Sequence, residues 1–291
     1  MALDVTARQP QRIPLRVDPA VALTRLRRIP GEGPPRFVAF ADLGPGLYVF
    51  DPQWQTLGEF SAAPHLLTDV QVYSSPEGPS ELVIVDNAQH VRRVNADTLQ
   101  VTREATVEFA SGLVAIPSGA TWPQPEWHSL VLRADGSCAA LTARLEIAHE
   151  FRVPELRLVR VGLASGSALA ALGLALDRRG DWVAVGIDRE FQVAWTQPIG
   201  TQAFDWQIEP LAHQLAGDRD FWAIAGSDAT VTVLDDRGRV HQRWQCGEPI
   251  HGIAWSPPAS AVAGQASVQA NLAISLDTRI VFANVPLDSA D

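Results

Sequence analysis

The feature that most constrains the fold is a series of short apolar runs that each end in aspartate. Six of them are Phe37–Asp42, Leu82–Asp86, Leu130–Asp135, Val183–Asp188, Trp222–Asp228 and Leu272–Asp277. Successive terminal aspartates are 44, 49, 53, 40 and 49 residues apart. Short apolar runs bounded by turn residues are typical of β-strands, and their recurrence every 40 to 53 residues indicates a repeated unit of several strands.

Each aspartate is followed, after a tight turn, by a second short run, as in Val91–Val94 after Asp86. Aspartate suits such a turn because its carboxylate accepts hydrogen bonds from backbone amides just downstream. Third and fourth runs complete most units, which gives four strands in each of six units. The sequence therefore predicts an all-β fold, a six-bladed β-propeller of four-stranded antiparallel blades in which residues 1–291 form a single domain.

The last unit, at about 251–284, supplies only three strands before the sequence ends. We expect the N-terminal segment Arg12–Val17 to add the fourth strand, which would close the propeller and cover an open sheet edge. The segment from 155 to 175 is longer than its counterparts and is expected to be an extended blade edge or a short helix. Residues 169–176 are assigned to the strand that precedes Val183–Asp188.

Composition excludes several classes of function. All 23 basic residues are arginine, so the chain lacks the lysine of P-loop nucleotide binding, pyridoxal chemistry and protein kinases. A net charge of −10 disfavours nucleic acid as a partner, and no apolar run is long enough to insert into a membrane. The widely separated Cys138 and Cys246 indicate free thiols. We therefore expect a cytoplasmic protein, and the lysine-free composition is typical of a GC-rich bacterial genome.

No catalytic, cofactor or metal site is predicted, because the seven histidines are scattered over different repeats without close ligand spacing. Aspartates converging at one end of a propeller could hold calcium, as in six-bladed lactonase-like hydrolases. The alternative, which the repetition favours, is that each carboxylate caps its own turn. The predicted structural turn residues are Asp42, Asp86, Asp135, Asp188, Asp228 and Asp277.

One stretch carries a recognisable pattern. Between Phe221 and Pro257, the runs Ala223–Asp228, Val233–Asp235 and Gly252–Pro257 follow one another in the order of a WD repeat, and residues 174–186 repeat part of it. The chain thus resembles, with degenerate repeats, the WD-repeat and quinoprotein-like β-propeller superfamily. The resemblance implies a propeller that serves as an interaction platform.

Tryptophan and arginine are the side chains that most often anchor protein interfaces. Trp122 and Trp127 lie in a proline-broken segment, so their rings are expected at the surface or folded against a loop, and Trp54 lies in a turn. Arg92 and Arg93 are expected on the exposed edge of the second blade. These five residues are the predicted partner-binding positions.

The sequence therefore predicts a noncatalytic protein-interaction propeller, a scaffold or accessory subunit of a larger bacterial complex. One alternative is a propeller hydrolase or lyase acting on a sugar, lactone or peptide in a central channel. Another is a component of a tagging or proteolysis system, which the absence of lysine would suit.

Overall fold

The computed structural model describes ten segments of the chain. They are residues 23–31, 33–73, 78–116, 126–164, 169–200, 207–210, 220–226, 228–256, 269–276 and 279–286. The predicted strand Arg12–Val17, Trp122 and Asp277 lie outside them. The closure of the last blade by Arg12–Val17 therefore stays a prediction.

The chain divides into two compact units, one of residues 12–154 and one of 155–291 with 1–11. The described part of the first unit forms three sheets, β1–β4, β5–β8 and β9–β12, each antiparallel and ordered as along the chain. Its strands are β1 (Arg25–Ile29), β2 (Arg36–Phe40), β3 (Gly46–Phe50), β4 (Thr56–Ser61), β5 (Leu67–Tyr73), β6 (Glu81–Asp86), β7 (His90–Asn95), β8 (Val101–Thr106), β9 (Ala110–Ala115), β10 (Trp127–Arg133), β11 (Ser137–Thr142) and β12 (Ile147–Arg152).

The described part of the second unit also forms three antiparallel sheets, β13–β16, β17–β20 and β21–β23. Its strands are β13 (Arg157–Leu163), β14 (Ala171–Leu176), β15 (Trp182–Ile187), β16 (Val193–Gly200), β17 (Gln207–Pro210), β18 (Phe221–Ala225), β19 (Thr230–Asp235), β20 (Val240–Gln245), β21 (Ile250–Ser256), β22 (Gln269–Leu276) and β23 (Ile280–Pro286). The prediction of an all-β chain of antiparallel, mostly four-stranded sheets is confirmed.

Burial explains the composition of the strands. The second and third strands of a sheet pack on both faces, so β6 reads Glu-Leu-Val-Ile-Val-Asp and is buried from Leu82 onward. Leu82 and Ile84 pack toward the β1–β4 sheet, whereas Val83 and Val85 pack toward the β9–β12 sheet. The outer strand β8 reads Val-Thr-Arg-Glu-Ala-Thr and is mostly exposed. The core of each unit thus lies between neighbouring sheets.

Trp195 on β16 fixes the contact between two sheets of the second unit. Its indole Nε1 donates a hydrogen bond of 2.9 Å to the backbone oxygen of Asp236. A Cβ atom at Gly186 would lie 2.4 Å from the indole ring, and one at Gly238 would lie 2.5 Å from it. Both positions therefore require glycine for the ring to pack.

The predicted strand order of the fourth sheet is wrong. The segment from 155 to 175 contains β13, which is an edge strand of its sheet, and most of β14, and its described residues form no helix. The run Val183–Asp188 is the third strand of its sheet and not the second. The error has a physical cause: aspartate caps turns after both second and third strands, and Asp177 occupies the position that was assigned to Asp188.

Candidate docking surface

Five connections lie at one end of the sheets of the 12–154 unit, and we call this surface the docking face. They are residues 41–45, 62–66, 87–89, 107–109 and 134–136. Each joins strands that run in opposite directions, so alternate connections of a sheet fall at the same end.

Backbone hydrogen bonds tie these connections to one another across the three sheets. The amide of Leu43 donates to the oxygen of Leu67 at 2.7 Å, next to an isolated β-bridge from Gly44 to the same residue. The Asn87 amide donates to the oxygen of Leu66, whose own amide donates to Asn87 Oδ1. The docking face is therefore continuous from the first sheet to the second.

The same kind of contact extends the face to the third sheet. The Phe109 amide donates to Gln89 Oε1 at 3.0 Å, and the Val107 amide donates to the Gln89 oxygen at 2.9 Å. The Ala134 amide in turn donates to the Phe109 oxygen at 2.8 Å. Phe109 is thus held by backbone and side-chain contacts on both sides of its connection.

Two large apolar side chains stand exposed on this face. Leu43 is 60% exposed with a φ of 56°, and Phe109 is 55% exposed with a φ of 61°. The left-handed region is sterically costly for residues with a Cβ atom, by about 1 to 2 kcal/mol per residue. Both side chains are therefore exposed to solvent, and both residues have an energetically unfavourable backbone conformation.

Among the described residues, the other left-handed positions do not carry an exposed large apolar side chain; Trp54, Leu99 and Phe191 share the conformation but are partly buried. Gly136 and Gly180 are glycines with a φ of 83°, where the left-handed conformation carries no steric penalty. Leu145 has a φ of 63°, but its side chain is 4% exposed and packs in the core, which offsets the strain. Leu43 and Phe109 have neither compensation, so the fold alone does not explain their side chains.

A buried ion network supports the face from beneath. Asp86 is fully buried; its Oδ1 accepts the amides of Ala88 and His90, and its Oδ2 accepts Arg92 Nη1 at 2.6 Å. Arg92 Nε also donates to Glu104, whose side chain is 48% exposed. Burial raises the pKa of Asp86, but the hydrogen bonds from His90 and the Arg92 guanidinium outweigh it and hold the pKa below its usual value.

A second buried cluster lies at the opposite end of the same sheets. Arg93 forms an ion pair with Glu81 and donates to the backbone oxygen of Ala143. The His128 ring lies 3.8 Å from the ring of Tyr73 between centroids, and its Nε2 is 3.7 Å from Glu81 Oε2. Burial, together with the positive charge of Arg93, lowers the pKa of His128 to about 4. This imidazole is therefore neutral at physiological pH.

Of the five predicted partner-binding residues, Trp122 lies outside the described residues, and the other four are not brought together on an exposed surface. Trp54 is half-buried and stacks on Phe37 with ring centroids 5.2 Å apart. Trp127 begins β10 and is 7% exposed, so of its two predicted positions the one at the surface is wrong. Arg92 and Arg93 lie on β7, between β6 and β8, and both are engaged by carboxylates. Their predicted exposed edge is therefore also wrong.

The predicted turn aspartates occupy different kinds of turn. Asp86 caps two amides, whereas Asp135 accepts the amide of Ser137 and Asp228 that of Thr230. Asp188 caps two amides as well, but in the turn after a third strand. Asp42 pairs with Arg25 on β1 at 3.0 Å.

Leu43 and Phe109 were missed by the sequence analysis. Their signal in the sequence is weak: a large apolar residue directly follows an acidic one, as in Asp42-Leu43 and Glu108-Phe109. A left-handed φ cannot be recognised from the residue type when the residue is not glycine, asparagine or aspartate.

Within the described segments, no three histidine, cysteine or acidic side chains are grouped so that they could hold a metal ion. Over the same segments, the structure contains no helix long and apolar enough to cross a membrane.

Comparison with known proteins places the fold. No protein-family model matches the sequence. No curated protein matches it either.

Solved structures do match it. The crystal structure of BBS1N in complex with ARL6DN is similar with a TM-score of 0.65 and 12% identity, over 92% of this chain and 80% of that chain. The WD40 domain of Toxoplasma gondii coronin has a TM-score of 0.64 and 10% identity, over 88% and 68%. The β-propeller domain of Cps50 (Swd1) from Myceliophteria thermophila has a TM-score of 0.55 and 12% identity, over 96% and 99%.

At these identities the likeness shows the fold alone. It agrees with the strand order within each sheet and with the WD-repeat pattern of the sequence. The chain therefore has a WD-repeat-like β-propeller fold, of which the six antiparallel sheets are the blades.

Proposed function

We propose that this chain is a noncatalytic protein-interaction propeller, an accessory or scaffold subunit of a larger complex in the bacterial cytoplasm, and that it binds its partner through the docking face. The observation that carries the proposal is the exposure of Leu43 and Phe109 on left-handed backbone. Residues that break a local structural rule without a compensating gain in the fold are expected at functional sites.

The physical setting of the two side chains suits an interface. Aromatic residues such as phenylalanine are enriched in protein interfaces, and burial of exposed apolar surface stabilises the complex. The hydrogen bonds that hold the Leu43 and Phe109 backbones fix where these side chains project. A pre-positioned anchor loses less conformational entropy on binding than a mobile one.

The structural neighbours support the same class of function. One of them, BBS1N, was solved in complex with ARL6DN. A propeller that engages another protein is therefore a precedent for the proposed role, although the fold by itself hosts many functions. Trp54, which the sequence predicts to contact a partner, lies in the turn between β3 and β4, at the end of the first sheet opposite the docking face, so it is not part of the proposed docking contact.

The test is a capture experiment with matched variants. Tagged protein is used to capture partners from native lysate, first as wild type and then as the double variant Leu43→Ser, Phe109→Ser. The control is Leu57→Ser, Val101→Ser, which removes two exposed aliphatic side chains from the outer strands β4 and β8. We expect the first variant to lose the partner and the control to keep it, with all three proteins melting at similar temperatures.

Equal capture by all three proteins would contradict the docking face. Failure of the wild type to capture any protein, together with a melting shift on addition of a small metabolite, would contradict the interaction role altogether.

A further inference from the structure

We infer that the segment that docks on this face is cationic and carries apolar side chains, so that arginine or lysine residues surround one or two buried anchors. This inference rests on the proposed function and names the chemistry of its partner. Three observations carry it: the charges of the connections, their ion pairs, and the state of the arginine beneath them.

The connections of the docking face contain three acidic residues and, as their one basic residue, His65. Their charged residues are Asp42, Glu108 and Asp135, and all three are exposed. Arginine is absent from all five connections, although the chain contains 23 of them. The charged residues of these connections other than histidine are thus all negative.

The arginines that contact Asp42 and Asp135 lie on strands and not in the connections. Arg25 on β1 pairs with Asp42, and Arg152 on β12 donates to the backbone oxygen of Asp135. Glu108 forms no ion pair within the described part of the chain, and it directly precedes Phe109. An uncompensated carboxylate therefore stands beside the larger of the two apolar side chains.

Arg92 does not reverse this charge. Its guanidinium lies between the buried Asp86 and the half-exposed Glu104, so two carboxylates share one cation. Asp86, Arg92 and Glu104 together comprise two carboxylates and one guanidinium, His90 Nδ1 lies 3.1 Å from Asp86 Oδ2, and the exposed member Glu104 is an acid. A phosphate or an acidic segment would meet no free guanidinium in this network, whereas a cationic side chain could pair with Glu104.

The charge of the whole chain acts in the same direction. A net charge of −10 attracts cationic partners at long range and increases their rate of association, most strongly at low salt. The apolar pair then accounts for affinity and the carboxylates for selection of the partner. This division of roles predicts how the two kinds of substitution differ.

The probes are short synthetic peptides of equal length. One combines arginine with leucine, a second replaces arginine by glutamate, and a third replaces leucine by serine. Fluorescence anisotropy measures their binding to the full chain at low and at high salt. We expect the arginine–leucine peptide to bind at least roughly tenfold more tightly than either of the others.

Substitutions then locate the binding. Leu43→Ser with Phe109→Ser should weaken the arginine–leucine peptide roughly tenfold or more at both salt concentrations. Glu108→Gln should weaken it by a few fold at low salt and leave affinity nearly unchanged at high salt. The control Leu57→Ser with Val101→Ser should change neither.

The outcomes separate this inference from the proposed function. Preference for the glutamate–leucine peptide, or binding that is insensitive to Leu43→Ser with Phe109→Ser, overturns the cationic partner. If the native partner is nevertheless lost from that variant in the capture experiment, the docking face stands and only the assigned partner chemistry is wrong.

Discussion

Replacing Asp86 by alanine should destabilise the protein by about 3 kcal/mol, because it leaves a buried charge without its buried partner. The carboxylate is fully buried and pairs with Arg92, which is itself 9% exposed. Its removal leaves a buried guanidinium with Glu104 as its remaining charged partner, and it also frees the amides of Ala88 and His90. Chemical denaturation of the two proteins measures the difference.

Asp188→Ala is the matched control, because Asp188 caps two amides in the same way and forms no ion pair among the described residues. It should cost about 1 kcal/mol. The double variant Asp86→Ala, Arg92→Leu should recover part of the loss, since it removes the uncompensated charge. Equal losses for Asp86→Ala and Asp188→Ala would show that the ion network contributes nothing beyond the turn.

The second large effect is a dependence of stability on pH that originates at His128. In the folded protein its pKa is about 4, below the ordinary value of 6.5 that applies to the unfolded chain. As the pH falls below 6.5, the unfolded chain binds a proton before the folded one does, so unfolding becomes easier. The free energy of unfolding should fall by about 3 kcal/mol between pH 6.5 and 4, and the contribution of His128 should level off below that.

His128→Gln isolates this contribution, because its side chain does not titrate and every other group remains. The denaturation midpoints of the two proteins, measured at intervals from pH 7 to pH 4, should diverge as the wild type loses stability. His149→Gln on the exposed strand β12 controls for the exchange of an imidazole for an amide. Parallel curves for wild type and His128→Gln would mean that this ring is protonated equally in both states.

The fold was accessible from the sequence because its signal is repeated. Short apolar runs that end in aspartate recur through the chain. A wrong strand position for one of these runs therefore does not change the prediction for the others. The order of the fourth sheet failed for a local reason. Asp177 and Asp188 cap turns at opposite ends of β15, and a terminal aspartate does not distinguish a second strand from a third.

The candidate site was not accessible in the same way, because its residues are defined by long-range contacts. Arg92 and Arg93 look like surface charges in Val-Arg-Arg-Val, but Asp86, Glu104 and Glu81 approach them only when the strands pair. The proline-broken segment before Trp127 resembled a loop, whereas the strand starts at that residue. The backbone conformations of Leu43 and Phe109 become visible only in three dimensions.

The most direct test of the account is the stability of Phe109→Gly, measured by thermal unfolding beside Leu145→Gly. Both residues have a left-handed backbone, but the Phe109 ring is exposed and the Leu145 side chain is buried. Glycine relieves the strain at both positions, although it increases the entropy of the unfolded chain.

If Phe109 is retained for docking, Phe109→Gly should match the wild type or exceed its stability by about 1 kcal/mol while losing the partner. Leu145→Gly should be destabilised by about 3 kcal/mol because a core side chain is lost. A loss of stability in Phe109→Gly comparable to that in Leu145→Gly would show that the ring serves the fold, and it would contradict the docking face.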